Sequence, residues 1–327
     1  MKQRGTRLLF YAVLAGWCLL FLRCETTEKS MVRAVYLARQ EENWSVGLLY
    51  QSPEAAADAA DASAALRLTG SSGSTLETAF AAAEAALPQT ADYRLCDYVL
   101  FPEQTEDAVL AAYENLVLER GCGRTAARLS CTEFDLETLL QACEKTGMLP
   151  DKLLNKLKEQ SAVMPRLYAH GESMLLPVLY LPEEQAGEVV VSGSGAFRTG
   201  SGAVQRLTEN EAEAIRLLTG TPGARTFWLE GQRITIRRCI VSVTLRKQAV
   251  TLRLDCQTAY GTPQPDAAQC RRLALLCTQV VQERWQQGAD LVHLQECSLL
   301  RTGTADGFDP TKNACPQLQA DVVFLSI

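Results

Sequence analysis

Histidine is nearly missing from this sequence. His170 and His293 are the two present in 327 residues, and they stand far apart, so most histidine-based catalysis and most zinc chemistry lack their raw material. A basic excess is missing as well. Lysine plus arginine number 32 against 38 aspartates and glutamates, a net charge of −6, which excludes a protein that lives by gripping a phosphate backbone. No nucleic-acid partner is expected. No apolar run approaches the roughly 20 residues of a stable membrane-spanning helix. Twelve cysteines are present, yet none forms a C-x-x-C, so zinc-ribbon and thioredoxin spacings are both absent. What remains is ordinary globular material. Apolar residues are 47% and charged residues 21%, enough to bury a core of about two domains and too balanced for wholesale disorder or a multi-span membrane protein.

The N-terminus departs from that average. Lys2, Arg4 and Arg7 precede an uncharged run, Leu8 to Leu22, which Arg23, Cys24, Glu25 and Glu28 end abruptly. Its fifteen residues reach about 22 Å as a helix, short of a hydrocarbon core of about 30 Å, which fits the apolar region of an export signal. The basic flank stays inside, and the chain after Cys24 goes outside. Cys24 sits where a bacterial lipoprotein carries its lipid-modified cysteine, but Arg23 stands where such signals have a small residue. Two forms of anchorage follow: a diacylated Cys24, or an uncleaved N-terminal helix.

Beyond the signal, strand and helix patterns alternate. MVRAVYLA and WSVGLLYQ flank a polar stretch, Arg39 to Asn43, as a β-hairpin. An alanine-rich, low-complexity stretch follows at Pro53 to Ala65. Next come a strand over Ala65 to Thr69, a turn over Gly70 to Gly73, and a helix capped by Ser74 with Glu77. Strands at Tyr93 to Phe101 and Thr125 to Thr132 alternate with helices at Thr105 to Glu119, Asp135 to Thr146 and Asp151 to Gln160. Leu175 to Leu181 is a strand that Pro177 assigns to a sheet edge. Glu188 to Leu207 reads as strand, glycine turn, strand, and the T-x-x-E at Thr208 opens another helix. The expected class is α/β (α+β): an export signal over residues 1–24, a mixed-sheet α/β region over 25–187 with a break near 135, and a C-terminal domain over 188–327 whose antiparallel sheet is covered by helices.

Arg233 to Thr258 is the most informative pattern. With Lys247 and Gln248 as a two-residue turn, Leu245 faces Val250, Val243 faces Leu252, Val241 faces Leu254 and Cys239 faces Cys256. One face is then apolar. The other carries Arg238, Ser242, Thr244, Arg246, Thr251, Arg253 and Asp255, so one side of this sheet is covered and the other solvated. The expected cover is the helix from Asp266 to Gln287, with Cys270, Leu273, Ala274, Cys277, Val280, Val281 and Arg284 in its apolar stripe. Cys239 and Cys256 sit at a close-approach position, as a disulfide in an oxidising compartment or as two buried thiols on the covered face.

Candidate chemistry is thin. Ser192 to Gly202 is glycine-rich but lacks the Lys-Ser/Thr of a phosphate loop, and reads as a hairpin turn. His293 with Asp290 has no third group and no nucleophile. Glu209, Glu211 and Glu213 are first-turn acids that a helix dipole favours. No metal spacing is seen, and Asp306 and Asp309 do not make a calcium loop.

The ordered segments resemble the Ger(x)C family, the lipoprotein C-subunits of nutrient germinant receptors in endospore-forming bacteria. The likeness is strongest from about Leu175 to Asp290. It rests on Leu176-Pro177-Val178, Gly195-Ala196-Phe197, the helix start at Leu207-Thr208-Glu209 with Glu211, the long amphipathic hairpin and the close at Ala289-Asp290. Ser74 to Ala86 and Tyr93 to Leu100 resemble an earlier helix and strand of that family. The resemblance implies three α/β domains and no enzyme activity or cofactor. It implies lipidation at Cys24, two integral membrane partners of A and B type, and a place on the outer face of the spore's inner membrane. An exported solute-binding or assembly lipoprotein outside germination is the alternative.

Overall fold

The structure, a computed structural model, describes residues 29–52, 66–182, 188–200, 202–246, 249–304 and 307–325. The export sequence with Cys24, the whole alanine-rich stretch from Pro53 to Ala65, the expected turn at Lys247 and Gln248, and Asp306 lie outside the described residues. The fold is mixed α+β, built on two sheets.

The N-terminal hairpin forms as its pattern requires: β1 (Ser30–Gln40) pairs antiparallel with β2 (Asn43–Gln51), and Glu41 adopts a positive φ of 54° in the turn. β2 then pairs with β3 (Leu66–Gly73), so Gly70 to Gly73 is strand where a turn was expected. Close approach explains the glycines. A Cβ on Gly70 would stand 3.0 Å from Leu136 and Leu140, and one on Gly73 would stand 2.7 Å from the backbone nitrogen of Ala79. Helix α1 (Leu76–Ala85) is capped by Thr75 with Thr78 returning the bond, one residue later than the Ser74–Glu77 box. The short β4 (Ala91–Asp92) pairs parallel with the start of β1.

Strand β5 (Tyr98–Pro102), helix α2 (Asp107–Arg120), β6 (Arg128–Thr132), helices α3 (Leu136–Lys145) and α4 (Leu149–Gln160), and β7 (Met174–Tyr180) follow as parallel crossovers. The sheet continues antiparallel through β8 (Val190–Arg198) and β9 (Val204–Arg206), in the order β3-β2-β1-β5-β6-β7-β8-β9. Residue 188 precedes β8, which pairs with β7 in the same sheet, and residue 187 lies outside the described residues. Residue 135 caps α3 inside the crossover from β6 to β7.

β7 is interior, contrary to the edge that Pro177 implied. The register of β7 on β8 shifts between Pro177 and Leu179, and pairing with β6 begins only at Val178. The missing N–H of Pro177 thus falls where the ladder is broken, and its carbonyl accepts a 3.0 Å hydrogen bond from the Ser130 hydroxyl.

Alternation along β1 divides the core. Val32, Val35 and Leu37 pack with α1 and α2, through Phe80, Leu110 and Tyr113 among others. Ala34, Tyr36 and Ala38 pack on the opposite face with α3 and α4, through Leu136, Leu139, Leu153 and Leu157. The first sheet is covered on both faces, which is why its inner strands read as near-continuous apolar runs.

Helix α5 (Glu209–Leu218), opened by the expected Thr208–Glu211 box, leads to the second sheet. Its strands are β10 (Arg225–Leu229), β11 (Gln232–Arg246), β12 (Ala249–Thr258) and β13 (Gln317–Phe324), in chain order. Helix α6 (Ala267–Gln286) buries Leu273, Cys277, Val280, Val281 and Trp285 against Ile234, Val250, Leu252, Leu254 and α5. Helix α7 (Leu294–Thr302) precedes β13, which runs parallel to β12.

Candidate interaction surface

The second sheet has one covered and one open side, and the open side follows from the register. Cys239 pairs with Cys256, Val241 with Leu254, Val243 with Leu252 and Leu245 with Val250, all directed inward. Their neighbours point outward. A bulge between Ile236 and Arg238 changes the parity of β11, so that Ile234 and Ile236 face inward before it and Cys239, Val241, Val243 and Leu245 after it. Two consecutive residues, Arg237 and Arg238, are therefore both exposed.

The result is a cationic, aromatic face. Arg233, Arg237, Arg238, Arg246 and Arg253 lie on it, against Asp255 and Asp321. Arg253 donates to Asp255 at 3.0 Å. Among the described residues, the other four have no carboxylate within ion-pair distance. Two aromatic rings carry guanidinium groups: Arg233 lies 5.9 Å from the centre of Trp228 and Arg237 lies 5.1 Å from the centre of Tyr260. Trp228 is 55% exposed, Tyr260 78% and Ile240 54%. Large apolar groups left open on a folded surface are the informative kind of exposure.

Trp228 is held in place from behind. Asn210, in the first turn of α5, accepts a hydrogen bond from the Trp228 N–H at 2.9 Å and donates to its carbonyl at 2.6 Å. One amide side chain thereby mimics a strand partner on the edge strand β10 and blocks part of that edge.

Under the same sheet, the Cys239 and Cys256 sulfurs are 3.5 Å apart, with Cys256 fully buried and Cys239 half-buried. That separation is a thiol–thiol contact, longer than the roughly 2.05 Å of a disulfide. The Cys256 S–H donates to Cys239, which lowers the Cys239 thiol and raises its partner. Burial pushes Cys277, on the facing helix, up to about 12.

Both histidines have partners that spacing along the chain did not show. His170 places Nδ1 3.1 Å from Asp107 and Nε2 3.1 Å from Glu114, both on α2. Asp107 also takes a 3.3 Å hydrogen bond from Arg198 of β8, a fully buried arginine that donates to the Thr105 carbonyl at 2.8 Å. His170 and Arg198 lie 56 to 93 residues from these partners, so only the fold joins them. His293, in a positive φ of 54°, is exposed and lies 3.9 Å from Glu296, while the Asp290 carboxylate caps the Gln295 N–H. Ser192 to Gly200 is strand and hairpin turn. Among the described residues no cluster of His, Cys, Asp and Glu could hold a metal ion, and no helix is long and apolar enough to cross a membrane.

A separate open cleft of about 800 Å³ lies where β1 begins, lined by Lys29, Glu84, Asp92, Arg94, Arg120 and Arg124 among others. Its arginines are paired: Arg94 with Asp92 at 2.5 Å, Arg120 with Glu84 at 3.4 Å, and Arg124 with Asp97.

No family model and no curated protein matches the chain. Among solved structures it is similar to one described as the crystal structure of the GerBC protein, at 11% identity and a TM-score of 0.43, over 88% of this chain and 96% of that one. So loose a superposition carries no argument about function.

Proposed function

We propose that this chain is an exported, non-catalytic subunit of a spore germinant receptor, held at the outer face of the membrane through its N-terminus. It works by contact with two integral membrane subunits of A and B type. The observation that carries this reading is the open face of the second sheet, where four arginines without a carboxylate partner among the described residues lie with two exposed aromatic rings. The resemblance of the ordered segments from Leu176 to Asp290 to the Ger(x)C family supports the receptor reading, and the basic start with its Leu8 to Leu22 run supports the anchorage. A single acyl chain binds membranes only marginally, so a diacylated Cys24 or a protein partner has to complete the retention. Deletion of the gene, followed by scoring germination on individual nutrients, tests the reading. Loss of the response to at least one nutrient, restored by the full chain and not by one lacking residues 2–23, is the expected result. Normal germination on every nutrient sinks it.

The cleft beside Lys29 favours a second reading, an exported binding protein for a small anionic solute. Saturable binding of such a solute by the purified chain, with germination intact in the deletion, would select it.

A further inference from the structure

We propose that the open face of the second sheet docks an acidic segment of a protein, with carboxylates meeting the arginines and apolar side chains lying against Trp228, Ile240 and Tyr260. The inference rests on the receptor reading for one thing only, the identity of the owner: an outward-facing segment of a membrane subunit. The chemistry stands on the face itself.

Charge comes first. Among the described residues five arginines oppose two acids on this face, in a chain whose net charge is −6, so the positive charge is local and set against the rest of the molecule. Arginine left without a carboxylate keeps its planar fork free for one from outside, and bidentate pairing with carboxylates is what that fork does best. Rigidity comes second. Stacking over Trp228 and Tyr260 orients Arg233 and Arg237, and Asn210 clamps the backbone of Trp228, so little side-chain freedom remains to be lost on binding. Composition comes third. Arginine, tryptophan and tyrosine are the residues on which binding energy concentrates at protein interfaces. A membrane is the poorer occupant. Thr235, Arg237 and Arg238 separate Trp228 from Ile240, and Ser242, Thr244 and Thr251 continue the face beyond it, so no continuous apolar wedge is presented to acyl chains.

The test uses the purified full chain in detergent with poly-L-glutamate as the probe. A triple variant, Arg233→Glu with Arg237→Glu and Arg238→Glu, reverses the face. Arg94→Glu with Arg120→Glu and Arg124→Glu reverses the cleft. Binding that weakens as salt rises, falls about tenfold or more in the face variant and is unchanged in the cleft variant is expected. Trp228→Ala and Tyr260→Ala, which leave the charge alone, should each weaken binding severalfold and keep the inference testable if the triple variant misfolds. Equal binding by wild type and folded face variants overturns it. So does a face variant whose one defect is reduced partition onto phosphatidylcholine vesicles containing phosphatidylglycerol, since lipid would then be the occupant. Co-isolation with tagged A- and B-type subunits from sporulating cells is read separately. Its failure alongside intact poly-L-glutamate binding removes the receptor reading and leaves the docking chemistry standing.

Discussion

Two buried arginines give a sharp test of the packing, because they differ in how well their donors are satisfied. Arg198 is fully buried, donates to the Thr105 carbonyl and to Asp107, and lies 5.7 Å from the centre of the Phe101 ring. Replacing it with methionine keeps most of the volume but strands a buried carbonyl and removes the arginine charge beside Asp107. Breaking a buried pair from one side costs about 3–5 kcal/mol. The Asp107 side chain is 28% exposed, so water softens the loss and the lower end applies, about 3 kcal/mol. Arg284 is 1% exposed, yet among the described residues its one ion partner, Glu283, is 3.3 Å away and one-third open, and two of its nitrogens, Nε and Nη1, have no hydrogen-bond partner, against Nε alone for Arg198. Its desolvation is poorly compensated, so Arg284→Met, with methionine free to fill the space against Phe197, should be neutral or stabilising by about 1 kcal/mol or more. At about 1.5 °C per kcal/mol for a chain of this size unfolding as one unit, thermal unfolding should separate the variants by roughly 4–6 °C. Calorimetry with circular dichroism reads this directly. Losses of equal size, or Arg284→Met the worse of the two, would refute the reasoning from donor satisfaction.

Alkylation of the native protein near neutral pH should modify Cys239 well before Cys256 or Cys277, since its thiol is lowered and half-exposed while theirs are raised and buried; mass spectrometry showing Cys256 or Cys277 first would contradict the contact. Asp309 accepts from Lys312 and from Thr311, which holds its carboxyl at about 2, below the roughly 3.9 of an unfolded chain. Its contribution to stability is therefore complete above about pH 4 and is lost as pH falls through about 2, and a carboxyl NMR midpoint near 4 would contradict this. Gly73→Ala should cost about 1–3 kcal/mol by forcing a Cβ against the backbone of Ala79, whereas Gly147→Ala, with nothing within 4 Å, should be nearly neutral; equal denaturation midpoints would rule out the close approach.

Local patterns were legible where one residue type decides one conformation. The Thr208–Glu211 box, the β1–β2 hairpin and the whole register from Leu245 with Val250 to Cys239 with Cys256 follow from spacing alone. The failures share a cause, which is that a tertiary neighbour sets the meaning of a residue. Pro177 marks an edge by its chemistry, but a register shift makes room for it in an interior strand. Gly70 to Gly73 resemble a turn, yet helix side chains and backbone approaching β3 require them. β10 was missed beside the pattern it belongs to, although Glu230 and Gly231, both at positive φ, are a tight-turn signal between it and β11. The cationic face was half visible: Arg238, Arg246 and Arg253 were placed outward, while the bulge that adds Arg237 has no signature in the alternation. His170 was read as solitary because its carboxylates lie 56 and 63 residues away.

The central claim, that the arginine face of the second sheet meets an acidic segment of a membrane partner, is reached most directly by placing a photo-crosslinking amino acid at Ile240, which lies on that face and is 54% exposed. Irradiation of sporulating cells carrying this full-length variant, followed by mass spectrometry of the adduct, should identify an Asp/Glu-rich, outward-facing segment of a multi-span germination subunit, and the adduct should vanish with Arg237→Glu and Arg238→Glu. Adducts to lipid alone, or none from a folded and correctly exported chain, would contradict the account.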